Sequence, residues 1–91
     1  MFHVLRLTYL QPVEVVDQTR PAHLDWLKAA IDDGRLILAG RLDDQSGAVL
    51  ITGDIEVDEA ENLMATDPYQ QAGLVRYERT GFNAGFRAPG L

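Results

Sequence analysis

The residues best able to do chemistry in this chain are one histidine and one aspartate, set far apart in sequence. His23 lies in Arg20-Pro21-Ala22-His23 and Asp67 opens Asp67-Pro68-Tyr69. A carboxylate beside an imidazole fixes which ring nitrogen carries the proton and frees the other for general acid or base work. Arg20, one turn before His23, could hold an anionic oxygen of a substrate, and Tyr69 could line the same pocket. His23 and Asp67 are therefore the candidate catalytic residues, and Arg20 and Tyr69 the candidate substrate-binding residues. A bland reading stands beside this one. A single histidine on an apolar helical face is usually a satisfied core residue, and Asp-Pro after a helix is usually a stop signal.

Nothing else in the chain offers comparable chemistry. There is no cysteine, which excludes disulfides, thiolate zinc sites and iron–sulfur clusters. His3 and His23 show none of the HxH, HxxxH or HExxH spacings, so no metal site is expected. His3 reads as structural or exposed. Ser46 sits in a turn without a nucleophile elbow. Gly34, Gly40 and Gly47 do not make a phosphate-binding loop. No cofactor is expected.

The elements that must position the pair can be read from periodicity and breakers. Residues 2–9, FHVLRLTY, read as a strand, ended by Gln11-Pro12. Residues 13–19 are ambiguous, with room for a short helical turn. A helix then runs from near Arg20 to about Asp33. Pro21 suits its first turn, Thr19 is the better capping side chain, and Gly34 stops it. Residues 35–42 and 48–53 read as a hairpin across the turn cluster Asp43–Gly47. Asp58 can cap a second helix through about Thr66, and residues 73–82 form the last strand. The tail, NAGFRAPGL, is rich in Gly and Pro and reads as irregular or as lying on a neighbouring subunit. Arg76 and Arg79 read as a solvated edge of the last strand.

At 100° per residue, Leu24, Leu27, Ala30 and Ile31 all fall within about 100° of His23. His23 therefore belongs to the apolar arc that faces the sheet, with Trp26 at its rim. The order βαββαβ predicts an α+β, ferredoxin-like sandwich, a four-stranded antiparallel sheet with two helices on one face, spanning residues 1–91 as one domain. In that topology the start of the first helix and the end of the second meet at one edge of the sheet, which brings His23 and Asp67 together. The strands are apolar on both sides: Leu36 and Leu38 are expected on one face, Ile37 and Ala39 on the other. A sheet wet on one side would alternate. A second copy, sheet against sheet, is the simplest cover, so a homodimer is expected.

Composition narrows the partners. The chain has 91 residues, is 46% hydrophobic and carries a net charge of −6. That balance argues against nucleic acid, which needs clustered cations, and against an anionic membrane surface. The third strand, AVLITG, also lacks the aromatic pattern of an RNA-binding sheet. The N-terminus carries no signal-peptide pattern and no apolar run reaches membrane-spanning length, so a cytoplasmic setting is expected.

The same residues resemble the YciI-like (YCII-related) family over nearly the whole chain. The resemblance rests on Arg20-Pro21-Ala22-His23-Leu24, on Gly34-Arg35-Leu36 and Ala39-Gly40, and on Asp67-Pro68-Tyr69 followed by Ala72-Gly73-Leu74. It implies a dimeric α+β barrel with an active site at a His–Asp pair, which maps to His23 and Asp67. A characterised activity in the family is elimination of chloride from a chlorinated hydroxyhydroquinone, a cofactor-free lyase reaction. Related barrels include muconolactone isomerases, and oxygen chemistry of the antibiotic-monooxygenase type also occurs on this kind of barrel. The expected function is a cofactor-independent lyase or isomerase on a small cyclic or aromatic compound. The alternative is a non-catalytic small-molecule-binding or regulatory homodimer.

Overall fold

The computed structural model describes residues 1–91. Strand β1 (Phe2–Tyr9) is followed by a short helix α1 (Val13–Val16) and the main helix α2 (Arg20–Asp32). The hairpin β2 (Leu36–Arg41) and β3 (Gly47–Thr52) comes next, then α3 (Val57–Thr66), a single-turn helix α4 (Pro68–Gln71) and β4 (Val75–Phe82). The sheet order is β2-β3-β1-β4 and every neighbouring pair is antiparallel. This is the ferredoxin-like α+β arrangement expected from the βαββαβ order. No helix is long and apolar enough to cross a membrane.

The core lies between the sheet and the helices. Leu5 and Leu7 of β1, Leu36 of β2, Ala48 and Leu50 of β3 and Val75 of β4 pack with Val16, Ala30, Leu63 and Tyr69. Each large aliphatic side chain buried there contributes about 2 kcal/mol. The pairings Leu5↔Leu50 and Leu7↔Ala48 put alternate residues of β1 and β3 on this inner face. Gly47 is required by that pairing, because a Cβ there would lie 1.9 Å from the Leu7 carbonyl oxygen.

Several local expectations are corrected. Thr19 precedes α2 but its side chain makes no capping bond; its backbone is already helical, which turns the hydroxyl away from the cap role. Glu56, not Asp58, stands before α3, and Asp58 lies inside the first turn, where its charge complements the helix dipole. The strand β2 carries a register shift between Leu36 and Leu38. Leu36 pairs with Thr52, whereas Leu38 pairs with Ile51, so the two leucines face opposite sides of the sheet rather than one. Leu36 is buried and Leu38 is 65% exposed. Leu24 and Ile31 of α2, on the arc expected to face the sheet, are also left 38% and 40% exposed.

His3 is fully buried, not exposed. Its Nε2–H donates to the Ile55 carbonyl at 3.0 Å, and its Nδ1 accepts from Arg79 at 3.1 Å. Both ring nitrogens are thus used, and Arg79 caps this histidine instead of forming a purely solvated edge with Arg76.

Candidate active site

Asp67 is held in place by its own local sequence. A residue before proline is driven out of the helical region, and Asp67 adopts an extended conformation that ends α3. Pro68 then opens α4, and the Asp67 side chain caps it, with Oδ1 accepting the Tyr69 N–H at 2.9 Å. The carboxylate is therefore oriented by its neighbours two positions on. Its other oxygen, Oδ2, accepts from the Tyr77 hydroxyl on β4.

His23 approaches from the first turns of α2. Its Nδ1–H donates to Asp67 Oδ1 at 2.7 Å, with His23 5% and Asp67 0% exposed. Asp67 thus receives three donors and faces no acceptor, the environment suited to an acceptor-only carboxylate. The His23 ring stacks on Tyr69 with centroids 3.9 Å apart and an interplanar angle of 9°. Trp26 lies 5.5 Å from it and is pinned by a bond from its indole N–H to Thr66 at 3.1 Å. These contacts leave the imidazole little freedom to rotate. With Nδ1 tied to Asp67, Nε2 has no protein partner, and no side-chain nitrogen or oxygen in the chain is both sealed and unpaired. Nε2 is the nitrogen left to the cavity that His23 lines.

That cavity measures about 130 Å³ and opens between α2 and the inner face of β2 and β3. Arg20, Leu24 and Leu27 line it from α2, and Ala39, Gly40 and Ala48 from the hairpin. The space exists because the hairpin carries small residues opposite the helix. Tyr9, Tyr69 and Arg41 complete the polar part of the lining. A void of about 150 Å³ admits a benzene ring, and the open hollow beside His23, at about 130 Å³, approaches that size.

The polar wall is organised by Arg41. It donates to Asp17 at 2.5 Å and to the Tyr9 hydroxyl at 3.1 Å, tying β2 to the segment that follows α1. The hydrogen bond from Arg41 holds the Asp17 carboxyl below the usual carboxylate range. Burial pushes the Tyr69 phenol up, with the Tyr9 phenol adding to it. Burial also pushes the Tyr77 phenol strongly up, and the adjacent Asp67 charge and hydrogen bond add to that. Both hydroxyls are therefore donors at neutral pH.

Of the four candidates from sequence, His23, Asp67 and Tyr69 come together in one contact network, with Asp67 behind the ring rather than in the cavity wall. Arg20 is exposed and lines the cavity on its helix side. Sequence reasoning missed Tyr77, Arg41, Tyr9 and Asp17 as parts of the site. The signal for Tyr77 was its alternation with Val75, which puts both on the inner face. No group of three or more His, Asp or Glu side chains is arranged to hold a metal ion.

The chain is an α+β sandwich with a buried imidazole–carboxylate pair behind a small cavity. The chain belongs to the YCII-related domain family, whose model matches residues 1–80. Its fold is similar to that of 5-chloro-2-hydroxyhydroquinone dehydrochlorinase from Burkholderia phenoliruptrix AC1100, solved in complex with 2,5-dihydroxybenzoquinone. That match has a TM-score of 0.76 at 22% identity, covering 93% of this chain and 96% of the other. At that identity the likeness establishes the fold. A sequence called "12 kDa protein" from Mycolicibacterium smegmatis is 75% identical over 24 residues, which is 26% of this chain and all of that relative.

Proposed function

We propose that this protein is a cofactor-independent lyase or isomerase that moves a proton on a small cyclic or aromatic compound. The observation that carries the reading is the 2.7 Å bond from His23 Nδ1 to a fully buried Asp67, which leaves Nε2 to a hollow approaching the size of a single ring. Nε2 takes a proton from the substrate, and Asp67 balances the charge that forms on the ring. The electron pair released moves onto a substrate oxygen, which the Tyr69 hydroxyl and the Arg20 guanidinium stabilise. In an isomerisation the imidazolium returns the proton to a different atom. In an elimination the pair forms a double bond, the leaving group departs as an anion, and the imidazolium gives its proton to water.

The fold likeness to a dehydrochlorinase bound to a dihydroxybenzoquinone supports a single ring bearing acidic hydroxyls as the substrate class. A homodimer through the outer sheet face belongs to the same reading. It is supported by Leu38, Phe82 and Leu91, which are exposed on or beside that face, and by Phe86, which is wholly exposed. Sedimentation of the parent as a dimer and of Leu38→Asp as a monomer is the expected outcome.

The test of function is turnover of a panel of halogenated and unhalogenated dihydroxybenzenes, hydroxyquinols and unsaturated lactones. The parent is expected to convert at least one, with His23→Ala losing at least about 100-fold in rate, the lower end for a general acid–base group. Equal rates for the parent and His23→Ala on a converted compound would remove His23 from the chemistry.

A further inference from the structure

Two donors, His23 Nδ1–H and the Tyr69 N–H, bond Asp67 at Oδ1. The second oxygen is held by a residue of a different element. Tyr77 sits on β4 in register with Leu7, on the face that turns toward the helices. Its hydroxyl donates to Asp67 Oδ2, and this is its one protein hydrogen bond. The groups facing the carboxylate are therefore His23 from α2, Tyr77 from β4 and the backbone N–H of Tyr69 from α4. Each comes from a separate element, and the sheet contributes only through Tyr77.

We infer that Tyr77 is a positioning residue, the third member of a Tyr77–Asp67–His23 chain that satisfies the second carboxylate oxygen and so steadies the acceptor that holds the imidazole proton on Nδ1. This rests on the acid–base role proposed above, and it adds what makes His23 Nε2 a standing acceptor rather than one of two exchanging tautomers. The donor from Tyr77 also takes up part of the carboxylate charge. Without it, Oδ2 of the buried carboxylate lies unpaired, which destabilises the arrangement that holds His23 Nδ1–H. Tyr77 does not line the cavity, so its effect reaches the substrate only through Asp67 and His23.

The test is nitrogen-15 NMR of the two histidine rings in the parent, in Tyr77→Phe and in Asp67→Asn. The parent is expected to show a protected, downfield His23 Nδ1–H. In Tyr77→Phe its exchange with water is expected to quicken about tenfold, the change that the loss of about one net hydrogen bond produces. The His3 ring signals should stay unmoved. A 3-fluorotyrosine at position 77 supplies a second readout that leaves packing nearly intact. Its more acidic phenol draws charge from the carboxylate, so the Nδ1–H resonance is expected upfield of the parent. Unchanged exchange in Tyr77→Phe, or an unmoved resonance with fluorotyrosine, overturns the positioning role and leaves the His23–Asp67 reading standing. An Nδ1–H already unprotected in the parent overturns that reading and this one together.

Discussion

Replacing Asp67 by alanine removes the acceptor on which three donors converge, and the structure sets the size of the effect. The cap on α4 is lost, at about 1 kcal/mol. The His23 Nδ1–H is left without a partner in a buried position and the half-buried Tyr77 hydroxyl loses its acceptor, at about 1–3 kcal/mol each. Relief from burying a charge offsets part of this. The net expectation is a loss of about 3–5 kcal/mol, a large fraction of the 5–15 kcal/mol typical of a domain of this size. The melting midpoint would fall by roughly 15–30 °C. Asp67→Asn should cost far less, about 1–2 kcal/mol. The amide oxygen can still accept from His23 and Tyr69, and the Tyr77 hydroxyl can turn to accept from the amide nitrogen. Urea unfolding followed by far-ultraviolet dichroism and by the fluorescence of Trp26, the one tryptophan, measures both variants. Trp26 lies 5.5 Å from the His23 ring, so its emission also reports whether the ring has moved. A loss below about 1 kcal/mol in Asp67→Ala, or equal losses in the two variants, would refute the claim that this carboxylate anchors the site.

Three further outcomes follow from the same geometry. The Tyr77 phenol is pushed up by burial and by Asp67, so above about pH 10 the folded chain keeps a proton that the unfolded chain has lost. Stability therefore falls as pH rises through that range, and Tyr77→Phe should flatten the alkaline limb of denaturation midpoints measured against pH, with the remaining slope assigned to Tyr69. Ala48→Leu should fill the hollow beside His23 and abolish binding of single-ring phenols in calorimetry. Its melting temperature should stay within a few degrees of the parent, since the added carbons enter existing space. Gly47→Ala should cost roughly 3 kcal/mol or more in thermal melts, because its Cβ would meet the Leu7 carbonyl oxygen at 1.9 Å. Gly40→Ala, with nothing within 4 Å of the added carbon, should change little.

The order of strands and helices was legible because each boundary carries a residue with a mechanical reason to be there. Pro21 starts α2, Gly34 ends it at a φ of 81°, and Pro68 forces Asp67 out of the helix. The placement of His23 followed from helical periodicity alone. The bulge in β2 was not legible, since a strand apolar on both sides, such as RLILAG, gives no penalty for a slip of one residue. The capping helix Pro68–Gln71 is too short to show a period, so its role in orienting Asp67 was read only as a stop. Tyr77 and Arg79 look alike in sequence, as polar positions of a last strand. Their partners, Asp67 and His3, are fixed by the register of β4 against β1 and by nothing local.

His23 Nε2 is the atom that a ligand in the hollow is expected to meet. Titrating a single-ring dihydroxy compound into the protein while recording the nitrogen-15 signals of both histidines measures this directly, with His3, which is bonded at both nitrogens, as an internal reference. The predicted result is a large shift at His23 Nε2, a smaller one at Nδ1 and none at His3. Saturable binding that leaves every His23 signal in place would contradict it.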